Sequence, residues 1–79
     1  MSPYEFLCHL LVTEFGARPD EITPESTPAS VGLDSLSTAE LIRELEEEYG
    51  IVISNEQANF ETLGEAAGIV DSLIQGDRT

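Results

Sequence analysis

The chain has 79 residues, 41% of them hydrophobic, so one small core is expected and two are not. Sixteen acidic residues stand against three arginines and no lysine, a formal charge of −13 at pH 7. This excludes binding to a nucleic-acid backbone, where basic residues must displace counterions, and disfavours anionic membrane surfaces.

Protein partners with basic patches, met through electrostatic steering, suit such a charge instead. The single cysteine, Cys8, leaves no internal disulfide. Its place on an apolar helix face reads as a small core filler rather than a reactive thiol. No apolar run approaches the ~20 residues that span a bilayer. The N-terminus lacks the basic start and apolar stretch of a secretion signal. A cytoplasmic setting is therefore expected. Met1 and the polar stretch 76–79 fit a free-standing chain, a single domain over residues 1–79, with a domain of a larger synthase as the alternative.

The first helix opens at Ser2-Pro3-Tyr4-Glu5. Ser2 is an N-cap, Pro3 suits the first helical position and Glu5 completes a capping box. Tyr4, Leu7, Leu11 and Phe15 recur at helical spacing, and Gly16 ends the run. Pro19, Pro24 and Pro28 then block a continuous helix. Residues 17–34 are expected to form a long loop, pinned to the core by Ile22, Val31 and Leu33. Loops of this length in small domains tend to be functional or disordered.

A second helix is predicted from Asp34-Ser35 to Tyr49, with Gly50 as its stop. Ser54 and Gln57 form another capping box, which predicts a short helical turn over about 55–59. The last helix starts at Thr62, with Glu65 at the capping-box position, and Gly76 closes it. Gly64 and Gly68 weaken it by roughly 1 kcal/mol each relative to alanine. The expected class is all-α, with no competing strand pattern.

On a helical wheel the second helix divides cleanly. Leu41, Ile42, Leu45 and Tyr49 should face the core. Leu36, Glu40, Arg43 and Glu47 share the opposite stripe, flanked by Glu44 and Glu46. Leu36 is an apolar residue on the polar side. It reads either as a helix-start residue covered by the long loop or as a partner contact ringed by carboxylates. Ser35 also has two readings. It belongs to a capping pair with Asp34, or its hydroxyl sits where free helix amides favour an attached phosphate. One serine and one histidine, His9, on another helix fix no triad, so no catalytic residue is expected. No EF-hand spacing, His/Cys metal cluster or Gly-rich phosphate loop is found, so no metal site is expected either.

The stretch Val31-Gly32-Leu33-Asp34-Ser35-Leu36 resembles the Gly-x-Asp-Ser-Leu motif of acyl carrier proteins. Residues 37–51, with the acidic helix and Glu48-Tyr49-Gly50-Ile51 at its exit, are similar to that family's second helix. Residues 53–59 and Thr62-Leu63 resemble its third-helix region and fourth-helix start. The resemblance implies a small four-helix bundle with a short third helix and a long loop between helices 1 and 2. It implies a covalent 4′-phosphopantetheine, taken from coenzyme A, on Ser35, with Asp34 and Leu36 flanking it. The arm's thiol would hold acyl or aminoacyl groups as thioesters, and the protein itself would catalyse nothing. Implied partners are a phosphopantetheinyl transferase and a loading enzyme, acyltransferase or synthase with a basic docking patch. They would meet Leu36, Glu40, Arg43, Glu44 and Glu47 on a monomeric carrier.

Two residues depart from the fatty-acid carrier pattern. Ser30 stands where an acidic residue often precedes the motif, and Arg43 occupies a usually apolar position. These departures suggest a polyketide or other natural-product carrier, antibiotic pathways included. Phe60-Glu61-Thr62 resembles D-alanyl and other aminoacyl carriers, so D-alanyl-type and peptidyl carriers remain alternatives, as does an acidic helical adaptor without an arm. Whatever its cargo, a fold carrying −13 is expected to melt at higher temperature as salt is added, because screening weakens self-repulsion. A melting temperature indifferent to salt would show that the charges lie too far apart to matter.

Overall fold

The computed structural model describes residues 2–76; Met1 and residues 77–79, which the free-standing reading draws on, lie outside them. Three α-helices form among the described residues: α1 (Pro3–Thr13), α2 (Ser35–Tyr49) and α3 (Leu63–Gly76). No strand occurs among the described residues. The predicted capping box opens α1. Ser2 N–H donates to Glu5 Oε1 at 2.9 Å, and Glu5 N–H donates to Ser2 Oγ at 3.2 Å. The helix ends at Thr13, earlier than the Gly16 stop suggested, although Glu14 N–H still donates to Leu10 O at 2.8 Å.

The exit of α2 follows its sequence closely. Gly50 takes a left-handed conformation (φ +64°), which costs glycine no side-chain clash. Ile51 N–H then reaches back to Glu46 O at 3.2 Å, a Schellman closure that buries Ile51 in the core. Glu46 adds a second tie, its Oε2 accepting from Ile53 N–H at 2.8 Å.

The helical turn expected after Ser54 forms over residues 55–58, where the resemblance implied a short third helix. Its capping box is present: Gln57 N–H donates to Ser54 Oγ at 3.1 Å and Ser54 N–H to Gln57 Oε1 at 3.0 Å. One helical bond follows, from Ala58 N–H to Ser54 O at 2.9 Å. So few residues fit before Thr62 begins the next helix that nucleation is not followed by propagation. At that next start Thr62 Oγ1 accepts from Glu65 N–H at 3.2 Å, as expected. The Glu65 carboxylate, however, reaches Glu61 N–H at 2.9 Å, one residue beyond the usual box.

Leu7, Leu10, Leu11, Leu41, Leu45, Ile51, Leu63, Ala66 and Val70 form the core. The α1–α3 pair is the broadest helix contact, and α2 also packs on α3. Phe6 and Tyr49 join the start of α1 to the end of α2 in a T-shaped pair with ring centroids 5.7 Å apart. Cys8, expected to fill the core, is only half-buried.

Residues 14–34 connect α1 to α2 through two 3-10 turns, Pro19–Glu21 and Ala29–Val31. The expected pins hold: Val31 and Leu33 are buried, and Ile22 packs partly buried against the core. The loop is also fastened to α3. Leu63 N–H donates to Ser26 O and Gly64 N–H to Pro24 O, both at 2.8 Å. These carbonyls satisfy amides that the first turn of a helix leaves open.

Gly64 and Gly68 of α3 therefore differ. A Cβ on Gly64 would stand 3.0 Å from Pro24 O, the atom its own amide binds, while a Cβ on Gly68 would meet nothing within 4 Å. Gly68→Ala should raise stability by about 1 kcal/mol through helix propensity. Gly64→Ala should instead lose about 1–2 kcal/mol, because overpacking must stretch the loop-to-helix bonds. Urea unfolding of both variants checks this; a gain at both positions would show that the loop yields.

Candidate functional site

The start of α2 is set by the chain just before it. Pro28 O accepts from Val31 N–H at 3.2 Å and from Leu33 N–H at 2.9 Å. Gly32 turns the backbone at φ +86°, a value that side-chain-bearing residues rarely adopt. Leu33 is buried, and Asp34 emerges into solvent as the N-cap. Its Oδ1 accepts from Ser37 N–H at 2.8 Å. Because Asp34 serves as cap, Ser35 is the first helical residue and its side chain is exposed. That separates the two sequence readings of the pair: capping belongs to Asp34 and leaves the Ser35 hydroxyl at the surface.

An open groove of about 680 Å3 runs beside Ser35. Pro28 and Leu33 line it from the loop, Thr38 and Ile42 from α2, and Ala58 and Asn59 from the single turn. Sequence reading missed this groove, because its walls are up to about thirty positions apart in the chain. Leu36 is 72% exposed, so the long loop does not cover it.

Glu40, Arg43 and Glu47 are exposed on the same side of α2, and Leu41 and Leu45 are fully buried on the other. Arg43 Nε lies 3.4 Å from Glu47 Oε2 in an exposed i,i+4 ion pair. Next to them is a cavity of about 280 Å3 lined by Glu14, Phe15, Glu40, Arg43, Glu44 and Glu47. Glu14 and Phe15, just past the end of α1, thus join the α2 face; the sequence treated them as part of another helix. Val52, 79% exposed, is a second apolar surface residue the sequence did not single out. Glu46, which the wheel placed beside the polar stripe, is half-buried and holds the Ile53 amide.

Two carboxyls here are shifted in opposite directions. The Ser37 amide, aided by the Asp34 and Leu36 amides, holds the Asp34 carboxyl below the usual carboxylate range. Burial, and then the neighbouring Glu14 carboxylate, push Glu44 above it, with a smaller opposing pull from Arg43.

The residues at Ser35 fit an attached phosphate diester. The hydroxyl is exposed, the capping task lies with Asp34, and α2 presents its N-terminal end to any anion placed there. The open groove alongside leaves room for a chain extending from that oxygen.

The shifts fix the sign of two pH effects. Asp34, lowered in the fold, contributes stability above its unfolded pKa, and this is lost as pH falls through the folded value. Glu44, raised in the fold, behaves oppositely: its contribution is present below the unfolded pKa and lost as pH rises through the folded value. Glu44→Gln should therefore raise the urea midpoint at pH 7, with the gap to the parent closing in acid. Asp34→Asn keeps a cap oxygen and should flatten the acid limb. Unfolding midpoints between pH 3 and 8 check both, and a Glu44→Gln gain that persists unchanged in acid would contradict the assignment.

Comparison with known proteins follows the same lines. Residues 5–70 match the family model described as the phosphopantetheine attachment site. Acyl carrier protein 1, chloroplastic, of Casuarina glauca is 42% identical over 62 residues, 75% of this chain and 46% of the relative. Acyl carrier protein 2, chloroplastic, of Hordeum vulgare is 35% identical over 72 residues, 89% of this chain and 56% of the relative. The protein of that name from Arabidopsis thaliana is 41% identical over 56 residues, 70% of this chain and 41% of the relative. The chain spans about half the length of these curated relatives. With a family match over most of its length and a fold of three helices, it belongs to the acyl carrier family defined by the phosphopantetheine attachment site, whose members are carriers rather than enzymes and bear a covalent 4′-phosphopantetheine.

Proposed function

We propose that this chain is a single carrier domain over residues 1–79 that holds acyl or aminoacyl intermediates as thioesters on an arm joined to Ser35. The carrying observation is the Ser35 hydroxyl, exposed at the start of α2 within the matched family region, with its neighbour Asp34 taking the cap. When bound, 4′-phosphopantetheine supplies a terminal thiol on which the cargo is a thioester. The residues of the chain bind and orient. Asp34 fixes the first turn of α2 and so the direction in which Ser35 leaves the surface. Leu36 offers partners an apolar anchor, and Glu40, Arg43, Glu44 and Glu47 provide a charged rim.

The partners in this reading are a phosphopantetheinyl transferase and a loading enzyme, acyltransferase or synthase with a basic docking surface. Contacts through exposed charges are screened and exchange quickly, which suits a carrier that visits several enzymes in turn. The turn over residues 55–58 takes the place of the short third helix in a four-helix bundle. The carrier works as a monomer in the cytoplasm. Arg43 and Ser30 support a place in polyketide or other natural-product biosynthesis, antibiotic pathways among them, rather than in fatty-acid synthesis. Phe60-Glu61-Thr62 favours, as a second reading, an aminoacyl cargo of the D-alanyl or peptidyl type.

Incubation with coenzyme A and a broad-specificity phosphopantetheinyl transferase should add the mass of one phosphopantetheine. Ser35→Ala should abolish the gain. A chain that stays bare while a control carrier is modified would instead be an acidic helical adaptor.

A further inference from the structure

Charge on the exposed stripe of α2 is ordered rather than uniform. From the Ser35 end it reads apolar Leu36, negative Glu40, positive Arg43, negative Glu47. Successive members are three or four residues apart, so they stack along one face, each about 5–6 Å from the next. Arg43 is the one cation of α2, and its side chain is 79% exposed.

The helix itself gains little from Arg43. Its partner Glu47 lies four residues toward the C-terminus, the weaker orientation for such a pair, and both side chains are largely exposed. Long-range attraction of basic surfaces is reduced by a cation here. What remains is recognition at contact. A guanidinium carries five donors in a rigid fork, so a carboxylate at Nε leaves the terminal nitrogens to bind a second, incoming carboxylate.

The ground beside Arg43 has the opposite preference. The cavity, lined by Glu14, Phe15, Glu40, Arg43, Glu44 and Glu47, sets four carboxylates against the one guanidinium and is large enough for one basic side chain, with the Phe15 ring as an apolar wall for its stem. Burial and the neighbouring Glu14 carboxylate already raise Glu44, a crowding that an inserted cation would relieve.

We propose that this stripe docks a partner surface whose charges run basic, acidic, basic, with an acidic residue opposite Arg43, and that Arg43 disfavours uniformly basic surfaces. The proposal rests on the docking role given to this face above and names the partner's chemistry. A uniformly basic patch would place like charge against Arg43, and such a juxtaposition selects against the wrong partner.

The test uses a phosphopantetheinyl transferase with a uniformly basic docking patch as the probe, with kcat/KM measured at low salt. Arg43→Glu should raise kcat/KM about three- to tenfold over the parent chain, with Arg43→Ala between them. Each basic residue of the transferase patch is then changed in turn to glutamate. One such change should restore the parent chain and penalise Arg43→Glu, and 0.5 M salt should collapse the contrast. Circular dichroism checks that each variant is folded. Rates within twofold of one another and no such crossover would overturn the charge order while leaving Ser35 modified. A Ser35 that no variant allows to be modified would overturn the carrier reading and this inference with it.

Discussion

Two backbone hydrogen bonds, from the Leu63 and Gly64 amides to the Ser26 and Pro24 carbonyls, set the geometry of this molecule. They convert a connection of about twenty residues into a fixed part of the fold. The amides at the head of α3 would otherwise face water, and the loop carbonyls would have no partner. With the loop fastened there, Val31 and Leu33 reach the core between the helices. Asp34 and Ser35 are then delivered to the surface at the point where α2 begins. The exposed serine is thus held by a chain of contacts that starts at the opposite helix.

Much of this was legible in the sequence because it is local. Caps and stops at Ser2, Asp34, Gly50 and Thr62 depend on residues three or four apart, and the structure places them as the pattern predicts. The wheel of α2 separated Leu41 and Leu45 from Glu40, Arg43 and Glu47 for the same reason. After Ser54 the capping signal delivers the helical turn it predicts, and the chain that follows is too short to propagate the short third helix that the resemblance implied. At Cys8 a face was inferred from spacing, whereas burial depends on what covers that face. The groove beside Ser35 and the cavity at Phe15 were invisible, since each is assembled from residues of different elements. No local pattern records that Ala58 lies near Ser35 or Glu14 near Glu44.

The acidic composition has a local structure of its own. Some carboxylates are used inside the fold, as at Asp34 and Glu5, where amide bonds favour the ionised form. Glu44 is crowded instead: burial and the neighbouring Glu14 carboxylate disfavour its ionisation. It lies on one side of α2, next to the exposed ion pair of Arg43 and Glu47. The placement of individual charges distinguishes this chain from a generic acidic rod.

The bond from the Ile53 amide to the Glu46 carboxylate bears on how that face is counted. A carboxylate anchored to the backbone cannot turn to greet a visitor, so it lends background potential but no grip. The acids of α2 free to reorient are accordingly fewer than its run of three consecutive glutamates suggests, and neutralising Glu46 would cost the tie between helix and turn that neutralising Glu47 would leave in place.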